Sequence, residues 1–209
     1  MNIESSYDRW SPIYDTNRNR TRDLDAQVMR TRFGASRFNR VLELGCGTGK
    51  NTALLAKVAE AVHVFDFSEG MLSRARARVS ARNVVFQRWD LSRIPWPMDG
   101  ASADLATFNL VLEHIESLDP LFVEAARCLA PGGVLHVSEL HPFRQYEGTQ
   151  ARFEDAAGNE VKVAAYTHHL SEFIEAGRRA GMRFVDLKEW WHEEDGGRPP
   201  RLLTLEFVR

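Results

Sequence analysis

The sequence is poor in cysteine, in long apolar runs and in net charge, and each shortage removes a class of protein. Cys46 and Cys128 are the only thiols. They stand far apart and without metal-ligand spacing, which argues against a disulfide framework and predicts a reducing, cytoplasmic setting. No apolar stretch approaches the length that crosses a bilayer, and the polar start Met1 to Asp8 does not read as a signal peptide. The formal charge is only -2, so no global field pulls the chain toward nucleic acid or an anionic membrane. No fixed-period repeat is visible either. What is there is apolar material, 44% of 209 residues, enough to bury the core of one α/β domain.

The most informative stretch is Val41 to Thr52. Val41 to Leu44 is an apolar run, Gly45, Gly47 and Gly49 follow at every second position, and Asn51 to Lys57 can open a helix. This predicts strand, tight turn, helix, with the turn at a ligand, because glycine leaves no Cβ between main chain and ligand and a helix start offers free N–H groups. Spacing separates the ligand classes. A dinucleotide-binding G-x-G-x-x-G would need Gly or Ala where Lys50 stands. A P-loop read through Gly49-Lys50 would need Gly in place of Leu44 and Ser or Thr in place of Asn51.

What remains, E-x-G-x-G-x-G as Glu43, Gly45, Gly47 and Gly49, resembles the first motif of the class I S-adenosylmethionine-dependent methyltransferases, in particular the small-molecule, ubiquinone/menaquinone-type enzymes. The resemblance runs along roughly the whole chain and is strongest from Arg40 to Leu140. Tyr7-Asp8 through Tyr14-Asp15 is similar to the family's Y-D-x-x-A-x-x-Y-D lid, with Ser11 in place of the usual Ala. Leu129, Pro131, Gly132 and Gly133 match its L-x-P-G-G, and Glu113-His114 matches a frequent E-H pair. The resemblance implies S-adenosyl-L-methionine as cofactor and S-adenosyl-L-homocysteine as product. It implies a cofactor set of Tyr14, Glu43, Gly45, Cys46, Gly47, Gly49, Asn51, Asp66, Phe67, Met71, Asp90, Leu91, Asn109 and Leu110. Asp90 would accept from the adenine amino group and the Leu91 backbone would meet the ring.

Several of these positions also follow from pattern. Ala61 to Phe65 reads as a second strand ending at Asp66, where an acid beside the first glycine turn can take both ribose hydroxyls. Ser68 is the expected cap of the next helix. Val84 to Trp89 reads as strand three and Ala103 to Phe108 as strand four, which places Asn109 and Leu110 at a carboxyl end, where ligand crevices lie. A helix through Leu121 and Leu129 stops at Pro131-Gly132-Gly133, and Val134 to Leu140 is strand five. Ala151–Glu154 and Glu160–Ala165 predict an inserted β-hairpin, a substrate cap. Phe184–Trp191 and Leu203–Val208 complete the sheet as an antiparallel hairpin through the loop Glu193 to Gly197.

The expected fold is therefore a Rossmann-like α/β domain: seven strands, mostly parallel with the last antiparallel, helices on both faces and the cap after strand five. Residues 1–37 would form a helical lid, 38–140 the cofactor core, 141–168 the cap insertion and 169–209 the final helix and strands. The arginines from Arg18 to Arg37 read as a solvated helix face. Methyl transfer needs mostly alignment and exclusion of water. His141, His168 and His169 are the candidate general bases, since histidine titrates near working pH. Trp10, His114, Arg144 and Tyr146 are candidate acceptor contacts, and no metal site is expected. The expected function is transfer of a methyl group by in-line displacement to O, N or C of a small molecule. The alternatives are an RNA or protein methyltransferase and a non-catalytic cofactor-binding protein. No nucleic-acid or membrane partner is expected, and the oligomeric state stays open, a homodimer among the choices.

Overall fold

The structure is a computed structural model that describes residues 3–16, 18–154 and 159–209. Its frame is a seven-stranded sheet built from β1 (Phe38–Leu44), β2 (Ala59–Asp66), β3 (Val84–Arg88), β4 (Ala103–Asn109), β5 (Leu129–Leu140), β8 (Arg183–Trp190) and β9 (Leu202–Val208), in the order β3-β2-β1-β4-β5-β9-β8. The first five named pair in parallel, and β9 runs antiparallel to both β5 and β8. The order reverses between β1 and β4, so a crevice opens beyond their carboxyl ends.

Alternation along the central strands sorts the helices onto two faces. Val41, Val62, Val64 and Leu105 pack with Met29 and Phe33 of α2 (Arg20–Phe33), Leu55 of α3 (Thr52–Val58) and Leu72 and Ala75 of α4 (Glu69–Arg78). Leu42, Leu44, Phe65 and Phe108 point the other way, into a cluster with Phe122 and Ala125 of α5 (Asp119–Cys128) and Phe173 and Ala176 of α7 (Leu170–Arg179). Ser68 caps α4 by accepting from the Met71 N–H at 3.1 Å, as its position predicts.

Two elements differ from the sequence expectation. Pro131-Gly132-Gly133 does not separate helix from strand: α5 ends at Cys128, Leu129 already pairs with Ala103, and the next residues loop out before pairing resumes at Leu105 and Val134. A bulge absorbs the glycines there. In the arginine-rich segment Arg18, Arg30, Arg32 and Arg37 are exposed as expected, but Arg20 and Arg22 are half-buried, and the opposite face of α2 buries Leu24, Asp25, Ala26, Val28, Met29 and Phe33. Arg32 grips Glu206 through Nε and Nη2 at 2.6 and 2.8 Å.

The inserted hairpin forms between β6 (Arg152–Glu154) and β7 (Glu160–Lys162). Its tip at 155–158, the expected turn from Asp155, lies outside the described residues. Phe153 and Val163 pack on Trp10 of α1 (Ile3–Trp10), so cap and amino-terminal helix share one small core. A short helix, α6 (Pro142–Tyr146), follows β5. Among the described residues no helix is long and apolar enough to cross a membrane.

Candidate functional site

The glycine turn sits at the carboxyl ends of β1 and β2. Gly45, Gly47 and Gly49 all have positive φ, of 82°, 53° and 78°. A Cβ at Gly45 would come within 2.6 Å of Val111 Cγ2, so that position is closed to side chains by packing. At Gly47 a Cβ would meet nothing within 4 Å, so there the positive φ alone disfavours a side chain and the space beside the turn is open. Asp66 braces the turn from β2: its Oδ2 accepts the Gly47 N–H at 2.8 Å and its Oδ1 the Ser68 N–H at 2.9 Å. The carboxyl is 5% exposed, and burial pushes it up to about 7 against those hydrogen bonds.

Two cavities adjoin this turn and a third continues from them. One of about 290 Å³ is walled by Gly45, Asp66, Phe67, Trp89, Asp90, Leu91, Val111 and His114. Its polar groups are those of Glu4, Asp66, Asp90, Ser92 and His114, and Ser92 holds Asp90 Oδ1 through N–H and hydroxyl at 2.9 and 2.7 Å. A second, of about 90 Å³, runs along Cys46, Gly47, Thr48, Asn51, Asn109 and Leu110. It shares Tyr14, Arg22 and Leu110 with a third and larger chamber of about 470 Å³, which is closed by Tyr7, Trp10 and Glu113 and by Thr149 to Arg152 at the root of the hairpin. The cleft thus leads from the glycine turn to a space roofed by α1 and the cap.

Strain and buried polar groups concentrate where the cavities meet. Leu110 takes a left-handed conformation, φ 56°, with its N–H donated to the Ser138 carbonyl at 2.8 Å. Glu139 Oε1 then accepts the N–H groups of Val111 and Leu112 at 3.0 and 2.9 Å and fixes the next bend. Asp25 of α2 accepts from Asn51 Nδ2, Asn109 Nδ2 and Ser138 Oγ at 2.8, 2.8 and 2.7 Å. One buried acid so joins α2, the start of α3 and the ends of β4 and β5. It leaves the Oδ1 of Asn109 buried without a protein partner beside the second cavity. Nothing in the sequence marked Asp25, because its three donors come from distant parts of the chain.

The expected cofactor positions divide into two groups. Tyr14, Gly45, Cys46, Gly47, Asn51, Asp66, Phe67, Asp90, Leu91, Asn109 and Leu110 line the first two cavities. Gly49, Glu43 and Met71 are not in these walls. Gly49 lies against Ala75 of α4. Glu43 Oε2 takes the Thr52 hydroxyl at 2.6 Å and joins strand to helix, its carboxyl pushed up to about 8 by burial. Met71 is core, 1% exposed.

The three candidate bases are corrected by the structure, which puts none of them in the cleft walls. His141 is fully buried, with Nε2 2.9 Å from Glu189 and Nδ1 accepting the Phe143 N–H; it caps α6. His168 Nε2 lies 2.7 Å from the Ile115 carbonyl, and His169 caps α7 with Nδ1 2.6 Å from the Tyr146 hydroxyl. Of the three, His141 satisfies a backbone donor as a serine cap does, while His168 donates to backbone carbonyls. Of the candidate acceptor contacts, Trp10 lines the chamber and His114 the first cavity. Arg144 is instead buried against Asp195 at 3.1 Å, and Tyr146 is an exposed partner of His169. Among the described residues the one group that could gather round a cation is His192, Glu193 and Glu194, where Glu194 already pairs with Arg20 at 2.8 Å.

Residues 42–137 match the family profile described as "Methyltransferase domain". The chain is 35% identical to an uncharacterized methyltransferase of Emericella nidulans, over 87% of this chain and 76% of that one. It is 33% identical to the trans-aconitate 2-methyltransferase of Variovorax paradoxus, over 88% and 71%. Its fold is similar to that of the N-methyltransferase NodS from Bradyrhizobium japonicum, solved in complex with S-adenosyl-L-homocysteine, with a TM-score of 0.73 and 19% identity over 100% and 99% of the two chains.

Proposed function

The chain belongs to the class I S-adenosylmethionine-dependent methyltransferases, and from that membership and the form of its cleft we propose that it binds S-adenosyl-L-methionine at the glycine turn and transfers the methyl group to a small molecule in the roofed chamber. The observation that carries the reading is Asp66: a buried acid at the end of β2, tied to the Gly47 N–H and opening on an apolar cavity with a second acid, Asp90, at its far side. That donor set suits a nucleoside. Asp66 would take the ribose hydroxyls and Asp90 the adenine amino group, with Leu91 and Phe67 against the ring. The open face of Gly47 and the partnerless Asn109 Oδ1 suit the amino-acid portion of the cofactor.

Bound there, the cofactor supplies a methyl group on positive sulfur, an electrophile that needs no further activation. The chain's part is alignment and desolvation. Leu110 and Tyr14, shared by the second cavity and the chamber, define the passage between donor and acceptor. Tyr7, Trp10 and the hairpin root exclude water, and Tyr14, whose ring already carries the Arg22 guanidinium at 4.0 Å, borders the passage.

The test is incubation with methyl-labelled S-adenosylmethionine and a cell extract split into small-molecule, RNA and protein fractions, with Asp66→Ala beside the wild type. Label in the small-molecule fraction that disappears with Asp66→Ala supports the reading. Label confined to RNA or protein overturns the substrate class, and cofactor binding with no transfer to any fraction overturns the activity.

A further inference from the structure

The chamber is built from guanidinium groups. Arg18, Arg20, Arg22, Arg152 and Arg201 all contribute to its wall, from the amino-terminal link, α2, β6 and the approach to β9. Among the described residues they share their counter-charges. Arg18 and Arg20 share the single carboxylate of Glu194, Arg201 shares Asp195 with Arg144, and Arg152 has Glu160 at 3.5 Å, so five guanidinium groups divide three carboxylates. Arg22 stands beside them, donating through Nη1 to the Tyr14 carbonyl, with its guanidinium 4.0 Å from the Tyr14 ring centroid at the passage to the glycine turn. The first turn of α2, capped by Asn19, lines the same space and brings the positive end of a 14-residue helix. The one acid in the wall is Glu113, which burial pushes up to about 7, where it stands partly as a neutral hydrogen-bond donor.

A second observation concerns proton acceptors, of which the chamber wall itself offers Glu113. His141, His168 and His169 are engaged elsewhere, and the chamber's phenols, Tyr7 and Tyr14, are pushed up by burial and remain protonated. A nucleophile that arrives already ionised fits such a wall, and carboxylate is the common one at neutral pH.

We propose, on the strength of the methyltransferase reading above, that the acceptor is a small di- or tricarboxylic acid, held by the chamber arginines and methylated on one carboxylate oxygen. That oxygen attacks the methyl carbon, a C–O bond forms, and the S–C bond breaks with its electron pair going to sulfur. A sulfonium and a carboxylate become a neutral thioether and a neutral methyl ester, and no proton is transferred. The arginine forks orient the acid through paired N–H···O bonds.

The experiment has two readouts. Methyl-labelled S-adenosylmethionine is supplied with the small-molecule fraction of an extract and with a panel of C3–C6 di- and tricarboxylic acids, their methyl esters, phenols, phosphorylated alcohols and amines. Products are treated with alkali, which releases a carboxyl methyl ester as volatile methanol. Separately, protein saturated with S-adenosylhomocysteine is titrated with the acids by calorimetry, as wild type, Arg22→Lys, Arg22→Gln and Arg152→Gln. The expected result is alkali-labile label on an acid. Its KM and Kd should rise roughly tenfold to a hundredfold in Arg22→Gln and less in Arg22→Lys. The exposed Arg152→Gln, which spares the fold, should show a rise with an unchanged cofactor Kd. Alkali-stable label on an amine, phenol, phosphorylated alcohol or carbon overturns the proposal and leaves methyl transfer standing. Acid binding that no arginine substitution weakens also overturns it. No transfer to any small molecule overturns the reading on which it rests.

Discussion

The Tyr7 hydroxyl and His114 Nε2 lie 2.6 Å apart, and the other ring nitrogen of His114 faces the Ala164 carbonyl at 2.9 Å. A carbonyl can only accept, so Nδ1 carries the proton and Nε2 receives the one from Tyr7. Burial holds the imidazole below its usual range, which favours this neutral form. One hydrogen bond thus ties α1 to the wall between the first cavity and the chamber.

Tyr7→Phe removes that bond and keeps the ring stacked on Trp10 at 5.7 Å. A neutral hydrogen bond contributes about 1 kcal/mol. The expected outcome is a several-fold weaker affinity for S-adenosylhomocysteine, with faster proteolysis within α1 and an unchanged core. Calorimetry and limited digestion check it; unaltered affinity and digestion would show that the bond does not hold the roof.

Cofactor affinity should depend on pH through Asp66. Ribose hydroxyls donate best to the ionised carboxylate, and in the free protein burial pushes this carboxyl up to about 7. Binding therefore favours loss of the proton, and affinity should fall as pH drops from 8 to 6, approaching tenfold per unit below 7. Asp66→Asn should bind weakly with a flat profile. A flat profile for the wild type would count against Asp66 as the ribose acceptor.

Stability of the free protein should run the other way on the alkaline side. Burial pushes both Glu43 and Glu139 up to about 8. Between about 4.5 and 8 the folded chain keeps protons that the unfolded chain has released, so stability falls as pH rises through that window, by up to about 1.4 kcal/mol per unit for each group. Glu206 has the opposite sign: despite burial, His136 and Arg32 hold it at about 2, and its contribution is lost only as pH falls below the unfolded value. Melting curves at pH 5.5, 7 and 8.5 should show a declining Tm, and Glu43→Gln should reduce the slope.

Asp25→Ala should be among the costlier substitutions outside the apolar core. It strands three donors at once, on Asn51, Asn109 and Ser138. The expected loss is about 3 kcal/mol or more, read from urea unfolding. Asp25→Asn, which keeps one acceptor oxygen, should lose less. Because Asn109 stands beside the second cavity, where the cofactor is proposed to bind, Asp25→Asn should also lower turnover more than an equally destabilising change in α7.

The parts of this molecule legible in the sequence are those governed by local rules. The apolar run into Gly45, the acid at the end of β2 and the Ser68 cap each follow from neighbours within a few residues, and parallel-sheet topology then brings Asp66 to Gly47. The histidines misled because their surroundings come from far along the chain: Glu189 beside His141, the Ile115 carbonyl beside His168. The arginines of residues 18–37 are legible in part, as a largely exposed face. Composition shows that a helix is charged, but not that part of its charged face turns inward to roof a chamber and pair with Glu194 and Glu206.

The placement of β9 between β5 and β8 also sets an order of events in time. Among the described residues β8 pairs with β9 alone, so although it is synthesised earlier it has no place in the sheet until residues 202–208 have emerged. For that interval, on the order of seconds at roughly 5–20 residues per second, the nascent chain carries the β5 edge from Val134 to Leu140 unpaired. A ribosome stalled between the two strands would hold out a sticky apolar edge for chaperones or for other copies of the same nascent chain.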